Sequence, residues 1–179
     1  GGAGNSIFKL CKFLSNKNFS ILVISLGKNF YKKKFVKNRC EIIELNHSRL
    51  LFAISKLREI IKTNTKLGFK KIIWISNIHY TNIISSLIIT GLNNIKLILV
   101  ERTSLYELKL YINFLLFLKN KIILFLIKCV YHKSNLIITN SKFENRHVRL
   151  ITNHKKIITI HPPTLRKIEK LNTNKKNKR

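Results

Sequence analysis

The chain contains no aspartate and no methionine. Without aspartate, an Asp-based metal site and a DxD-type sugar-nucleotide motif are both excluded from this segment, and every acidic group is a glutamate. The three cysteines, Cys11, Cys40 and Cys129, are odd in number and lack metal-ligand spacing. They read as reduced, half-buried thiols of a cytosolic protein. A dinucleotide fingerprint is also absent: Gly1-Gly2-Ala3-Gly4-Asn5-Ser6 is not GxGxxG, and no acid ends the following strand. No signal peptide is visible. The apolar stretch over residues 105–131 is interrupted by Lys119-Asn120-Lys121, which argues against a spanning helix. Two shorter helices are predicted there, either packed on a sheet or lying in a membrane interface with lysines toward anionic headgroups.

What the chain has in excess is positive charge. Thirty-five Lys and Arg against seven Glu give a formal net charge of +28 over 179 residues. Such a field attracts phosphate-bearing partners, whether nucleic acid, an anionic bilayer or a nucleotide donor. The surplus of Lys, Asn and Ile also fits AT-rich coding DNA, in which case part of the charge is compositional drift on solvated faces. With 45% hydrophobic residues, the length supports one domain with a substantial core.

The opening glycines stand ahead of an amphipathic run that includes Ile7, Phe8, Leu10 and Leu14. A glycine-rich loop at a helix N-terminus is a phosphate seat, because close-approaching N–H groups and the helix dipole both favour an anion. The competing reading is an ordinary turn. Such a loop normally follows a strand, so the chain is expected to be a piece of a larger protein, entered after its first strand.

Strand and helix patterns then alternate. Strands are predicted over residues 19–26, 40–45, 72–75, 95–100, 136–139 and 157–160, from short β-branched apolar runs. Helices are predicted up to about residue 16, after a Ser48 cap with Leu51, Ile54, Leu57 and Ile61 on one face, up to Gly91, and after Asn140-Ser141. Residues 28–39 read as a basic loop, and residues 76–80 as a polar loop. This alternation predicts a Rossmann-like α/β domain: a parallel sheet with helices on both faces, linked by right-handed crossovers. Polar residues collect where strands end, at Ser76, Asn77, His79 and Tyr80, at Glu101, Arg102 and Thr103, at Asn140 and Ser141, and at His161. Ligands of open α/β sheets lie outside the carboxyl ends of the strands, so these groups and the glycines are predicted to face one site.

Several phrases resemble the N-terminal half of a family 4 glycosyltransferase of the GT-B architecture. The Gly-Gly-Ala opening and the stretch from Lys9 to Gly27 resemble that family's first loop, helix and second strand. Lys96-Leu97-Ile98-Leu99-Val100-Glu101-Arg102-Thr103 resembles an "ER(N/T)" strand end, and Lys133-Ser134-Asn135-Leu136-Ile137-Ile138-Thr139-Asn140-Ser141-Lys142-Phe143-Glu144 an "ADxIITNSxxE" segment. Lys156-Ile157-Ile158-Thr159-Ile160-His161-Pro162-Pro163 stands where members have a strand and "xPN". The resemblance reaches about residue 165, which places a Rossmann-like domain over residues 1–165 and a basic linker or flexible tail over 166–179.

The resemblance implies the acceptor-binding half of a retaining, metal-independent hexosyltransferase. A nucleotide-sugar is then the donor substrate and no cofactor is needed. The acceptor is a surface glycan or a lipid-linked oligosaccharide, and the location is cytoplasmic, peripheral on the inner face of the membrane. It implies that Gly1, Gly2 and Ala3 reach the donor diphosphate through backbone amides. Asn77, His79, Tyr80, Glu101, Arg102, Thr103, Asn140 and Ser141 are the implied acceptor or sugar contacts, and no catalytic side chain is assigned.

This chain also departs from the family. Arg102 stands where many members have a histidine, and a guanidinium cannot act as a general base. Trp74 and Ser76 replace an alternating histidine pair, leaving His79 in the next loop. Glu101 can pair with Arg102, and Asn140-Ser141 reads first as a helix cap. The family's Glu-x7-Glu signature, which belongs to the donor-binding domain, has no match, so the segment alone is expected to be inactive. The alternative is a basic nucleic-acid-binding or membrane-surface protein without catalysis. Phe30-Tyr31-Lys32-Lys33-Lys34-Phe35 would be its phosphate-gripping loop, although no nucleic-acid reader motif is present.

Overall fold

The computed structural model describes residues 2–29, 31–46, 50–66, 71–110 and 113–161. Helix α1, Gly2–Ser15, places Ile7, Phe8 and Cys11 at helical spacing on its inner side. Strand β1, Ile21–Ser25, follows after Asn18 turns the chain at φ 62°. Its neighbour β2, Cys40–Glu44, pairs with it in parallel, from Ile21 opposite Cys40 to Ser25 opposite Glu44. Between them lies α2, Lys32–Lys37.

A 3-10 turn, Leu50–Ala53, leads into α3, Ile54–Lys66, which buries Leu57, Ile60 and Ile61. The remaining elements are β3 (Ile72–Asn77), α4 (His79–Ile89), β4 (Ile95–Glu101), α5 (Phe114–Val130), β5 (Leu136–Thr139), α6 (Lys142–Thr152) and β6 (Ile157–Thr159). These four strands form a second parallel sheet in the order β3-β4-β5-β6. The α/β class and the parallel pairing are as predicted, with α1 and α2 on one face of the β1–β2 pair and α3 to α6 on the opposite side. Side chains of α1 and α2 meet in a small cluster around Cys11, Phe35 and Cys40. Those of α3, α4, α5 and α6 fill the main core against Leu97, Leu99 and Ile137. Ile95, Leu97, Leu99 and Glu101 on one face of β4 are buried, whereas Lys96 on the other face is exposed and Ile98 is half-buried.

Four local predictions are corrected. Residues 32–37 form a helix because Phe35, 3% exposed, anchors one turn against Cys11 and Cys40, a single apolar residue hidden among lysines. The Glu44 carboxylate secures that turn by accepting from the Asn29 N–H (2.7 Å) and from Lys32 Nζ (2.9 Å), which holds its pKa below the usual range. The proposed phosphate-gripping loop is thus partly helical, with Phe35 buried and Phe30 outside the described residues. β3 runs on to Asn77, and His79 and Tyr80 open α4 instead of lying in a loop.

Helix α5 passes through Lys119-Asn120-Lys121 unbroken. Asn120 is buried on the same face as Ile123 and Ile127, and both lysines stay outside. The break falls earlier, where Asn113 Oδ1 caps the helix by accepting from the Leu116 N–H at 2.8 Å. Finally, the glycine opening is helical from Gly2 onward. A methyl group on Gly4 would stand 3.1 Å from the Tyr31 ring, so close packing of α1 on that ring accounts for this glycine. Gly1, Ser48 and residues 162–179 lie outside the described residues.

The cysteines divide unequally. Cys11 and Cys40 are buried, whereas Cys129 is exposed on α5. Burial, reinforced by neighbouring Cys40, pushes the Cys11 thiol up to about 11. A maleimide added to the native protein at pH 8 is therefore expected to label Cys129 quickly, and Cys11 and Cys40 only once denaturant is present. Fast native labelling at Cys11 would show that α1 does not pack on β2 as described.

Candidate functional site

The carboxyl ends of β3, β4 and β5 bring together most of the residues predicted to act at one site. At its base is Glu101, the last residue of β4, which is wholly buried. Burying a carboxyl group is costly unless its oxygens find donors. Tyr131 donates its hydroxyl to Glu101 Oε2 at 2.7 Å, and Asn82 Nδ2 donates to the same oxygen at 3.3 Å. Thr103 Oγ1 donates to Oε1 at 3.3 Å. Burial, reinforced by the Glu101 carboxylate, pushes the Tyr131 hydroxyl well above the usual tyrosine range.

His79, in the first turn of α4, continues this chain. Its Nδ1 lies 3.2 Å from Thr103 Oγ1 and 3.8 Å from Glu101 Oε1. Because Thr103 gives its proton to Glu101, its oxygen is left to accept from His79 Nδ1–H. This assignment leaves the lone pair on Nε2, which is buried and has no hydrogen-bond partner. Tyr80 covers this imidazole, with ring centroids 4.2 Å apart, and Lys119 Nζ lies 5.7 Å from the Tyr80 ring centroid.

Arg102 does not pair with Glu101, as the sequence suggested it could. Its Nε donates to Asn77 Oδ1 at 3.0 Å, because the strand alternation that sends Glu101 inward sends Arg102 to the rim. Partial burial lowers its pKa, but a guanidinium stays charged in proteins. Asn140 Nδ2 donates to the Arg102 carbonyl at 3.3 Å and so ties the end of β5 to the same rim. Ser141 is occupied as the cap of α6, its Oγ accepting from the Glu144 N–H at 3.1 Å.

The structure thus brings Asn77, His79, Tyr80, Arg102, Thr103 and Asn140 together, with Glu101 beneath them and Ser141 turned to a structural task. His161 is exposed after β6 and makes no hydrogen bond to this group. Gly2 and Ala3 lie in the first turn of α1, and Gly1 is outside the described residues.

One strained residue shapes the β3–α4 turn. Ile78 has φ 74° and ψ 140°, a conformation that a β-branched residue adopts at a cost of about 1–3 kcal/mol. Its N–H reaches the Val100 carbonyl at 3.0 Å, and its carbonyl accepts the Asn82 N–H at 2.9 Å. These two bonds hold the start of α4 over the end of β4.

Sequence reasoning missed Asn82 and Tyr131, both wholly buried. Asn82 sits about one helical turn after His79, on the same buried side of α4, and that spacing is a readable signal. Tyr131 follows a long apolar run and carries none. A shallow depression of about 550 Å³ lies beside the site, lined by Phe114, Leu115, Leu116 and Lys119 among others. Among the described residues, no group of His, Cys and Glu side chains is arranged to hold a metal ion.

Tyr131→Phe removes one donor from a buried carboxyl oxygen and is expected to cost about 1–3 kcal/mol in unfolding free energy. The pH dependence has a definite sign. The folded-state pKa of Tyr131 is raised, so its contribution is complete below the unfolded tyrosine value of about 10 and is lost as pH rises through the folded value. Denaturant titrations from pH 8 to 11 should therefore show less alkaline loss in Tyr131→Phe than in the parent. Parallel losses would mean that the hydroxyl is not buried against Glu101.

Compared with known proteins, no family model matches this chain and no curated protein is similar to it, so its functional reading rests on the geometry above.

Proposed function

We propose that this domain is the acceptor-side half of a retaining GT-B sugar transferase, which moves a sugar from a nucleotide-sugar to a surface-glycan or lipid-linked acceptor. The observation that carries the reading is the rim formed by Asn77, His79, Tyr80, Arg102 and Asn140 at the carboxyl edge of a parallel sheet. Its chemistry suits a sugar. Tyr80 offers a half-exposed aromatic ring, and Asn77 and Asn140 offer amides. The buried His79 Nε2 offers an acceptor for a hydroxyl, reachable once the Tyr80 ring swings aside. Arg102 supplies a fixed cation for a diphosphate. The donor-binding partner is a second α/β domain, so this half alone is a binder and not a catalyst.

Glycan-array retention tests the reading. Binding to a subset of oligosaccharides is expected, weakened about tenfold (~1.4 kcal/mol) by Arg102→Ala and by His79→Ala, with unchanged circular dichroism. Absence of glycan retention together with sequence-selective nucleic-acid binding would favour the other class.

The rim is also flanked by a surface suited to a membrane face. Leu115, Leu118, Ile122 and Phe125 form one exposed stripe along α5, opposite the buried Ile123, Ile127 and Val130. Lys119, Lys121 and Lys128 are exposed on the same helix. No helix among the described residues is long and apolar enough to cross a membrane. We place the domain at an anionic membrane surface, with α5 in the interface presenting the rim to a lipid-linked acceptor. Co-sedimentation with vesicles containing phosphatidylglycerol at 150 mM salt should be strong, and should fall about tenfold or more in a Leu115→Glu, Phe125→Glu double variant. Equal retention of parent and variant would leave α5 outside the interface.

A further inference from the structure

Pairing in the sheet stops between β1 and β3. Among the described residues, β1 pairs only with β2, and β3 only with β4. Side-chain alternation nevertheless sets both sheets on one surface. Leu22, Ile24 and Leu26 on the β1 side and Ile72 and Trp74 of β3 pack on the same core, while Ile21 and Val23 face the α1–α2 cluster.

The handedness of the crossovers locates this break in the sheet. With right-handed connections, helices on one face advance the strand order in one direction, and a helix on the other face reverses it. Helix α2, on the α1 side, carries the chain from β1 outward to β2. Helix α3, on the opposite face, carries it back past β1 to β3, and α4, α5 and α6 continue in that second direction to β6. Helix α1 packs on the same face as α2 and leads into β1, so by the same rule it is a crossover helix. Its incoming strand belongs beside β1 on the side away from β2, which is the position between β1 and β3.

Both edges at this position are apolar and have backbone groups to offer. The Ser25 carbonyl faces β2, since it accepts from Leu45, so the alternate residues Leu22 and Ile24 turn their N–H and C=O groups to the other edge. The Ile72 N–H faces the β4 side, so Ile73 and Ile75 turn theirs toward β1. Ile73 and Ile75 are 48% and 37% exposed, whereas Ile72 and Trp74 pack on the core.

We infer that this position takes one parallel, apolar β-strand of the same polypeptide, running directly into α1 and joining β1 to β3 in a single seven-stranded sheet in the order β2-β1-strand-β3-β4-β5-β6. The inference is independent of the transferase reading, since it uses only pairing, packing faces and handedness. It would also place the N-terminus of α1 at the point where the strand order reverses, next to the Asn77–Arg102 rim.

The test compares the 179-residue chain with a form carrying a short valine–isoleucine strand fused ahead of Gly1, and with a control whose added segment contains prolines. Amide hydrogen exchange is followed at Leu22, Ile24, Ile73 and Ile75. Insertion slows exchange about tenfold or more at both edges together in the fused form, and at neither edge in the proline control. If the fused form precipitates, the same segment supplied as a separate lysine-flanked peptide provides the readout. Protection at one edge only, or at neither, overturns the inference. So does protection in the unextended chain that rises with protein concentration, because a second copy would then be the occupant.

Discussion

The carboxyl group of Glu101 is the constraint around which the site is organised. It is fully buried and has no lysine or arginine partner among the described residues. It is held instead by hydroxyl and amide groups from three separate segments: Tyr131 after α5, Asn82 in α4 and Thr103 after β4. Losing one of these donors leaves a buried acceptor poorly satisfied, which ties the segments into one unit. The positions of His79 and Arg102 follow. Thr103 orients the imidazole, and the strand alternation that buries Glu101 brings Arg102 out to Asn77.

That arrangement has two layers. Glu101, Asn82 and Tyr131 form a buried polar layer, while Asn77, Tyr80, Arg102, Thr103 and Asn140 lie above it. The strained turn at Ile78 belongs to the same design, since it holds α4 close enough for Asn82 and His79 to reach the end of β4. The large positive charge of the chain is distributed differently. Among the described residues its lysines lie mainly on solvated faces, and Lys119 stands 5.7 Å from the Tyr80 ring centroid.

Much of the fold was legible because strand periodicity is a local signal. The β5 run, residues 136–139, was readable residue by residue, and Ser141 was recognisable as a cap from its place before α6. Three of the failures share one physical cause, in that each turned on how a side chain or a glycine packs in the folded chain. Phe35 makes a helix of a lysine-rich stretch because Cys11 and Cys40 are waiting for it. Asn120 shares the buried face of α5 with Ile123 and Ile127, so a polar interruption in the sequence is not an interruption of the helix. Gly4, which read as part of an anion-binding loop, packs against Tyr31.

By itself the sequence determined the α/β class, the parallel strands and the gathering of polar residues at strand ends, because alternation, apolar runs and caps are properties of neighbouring residues. Only the tertiary structure decided that Arg102 turns to Asn77 and not to Glu101, that Tyr131 and Asn82 close over the carboxyl group, and that pairing halts between β1 and β3. The reason is that a hydrogen-bond partner up to 49 positions away, or a strand's place in a sheet, depends on how crossovers fold back in space, and no local pattern encodes that.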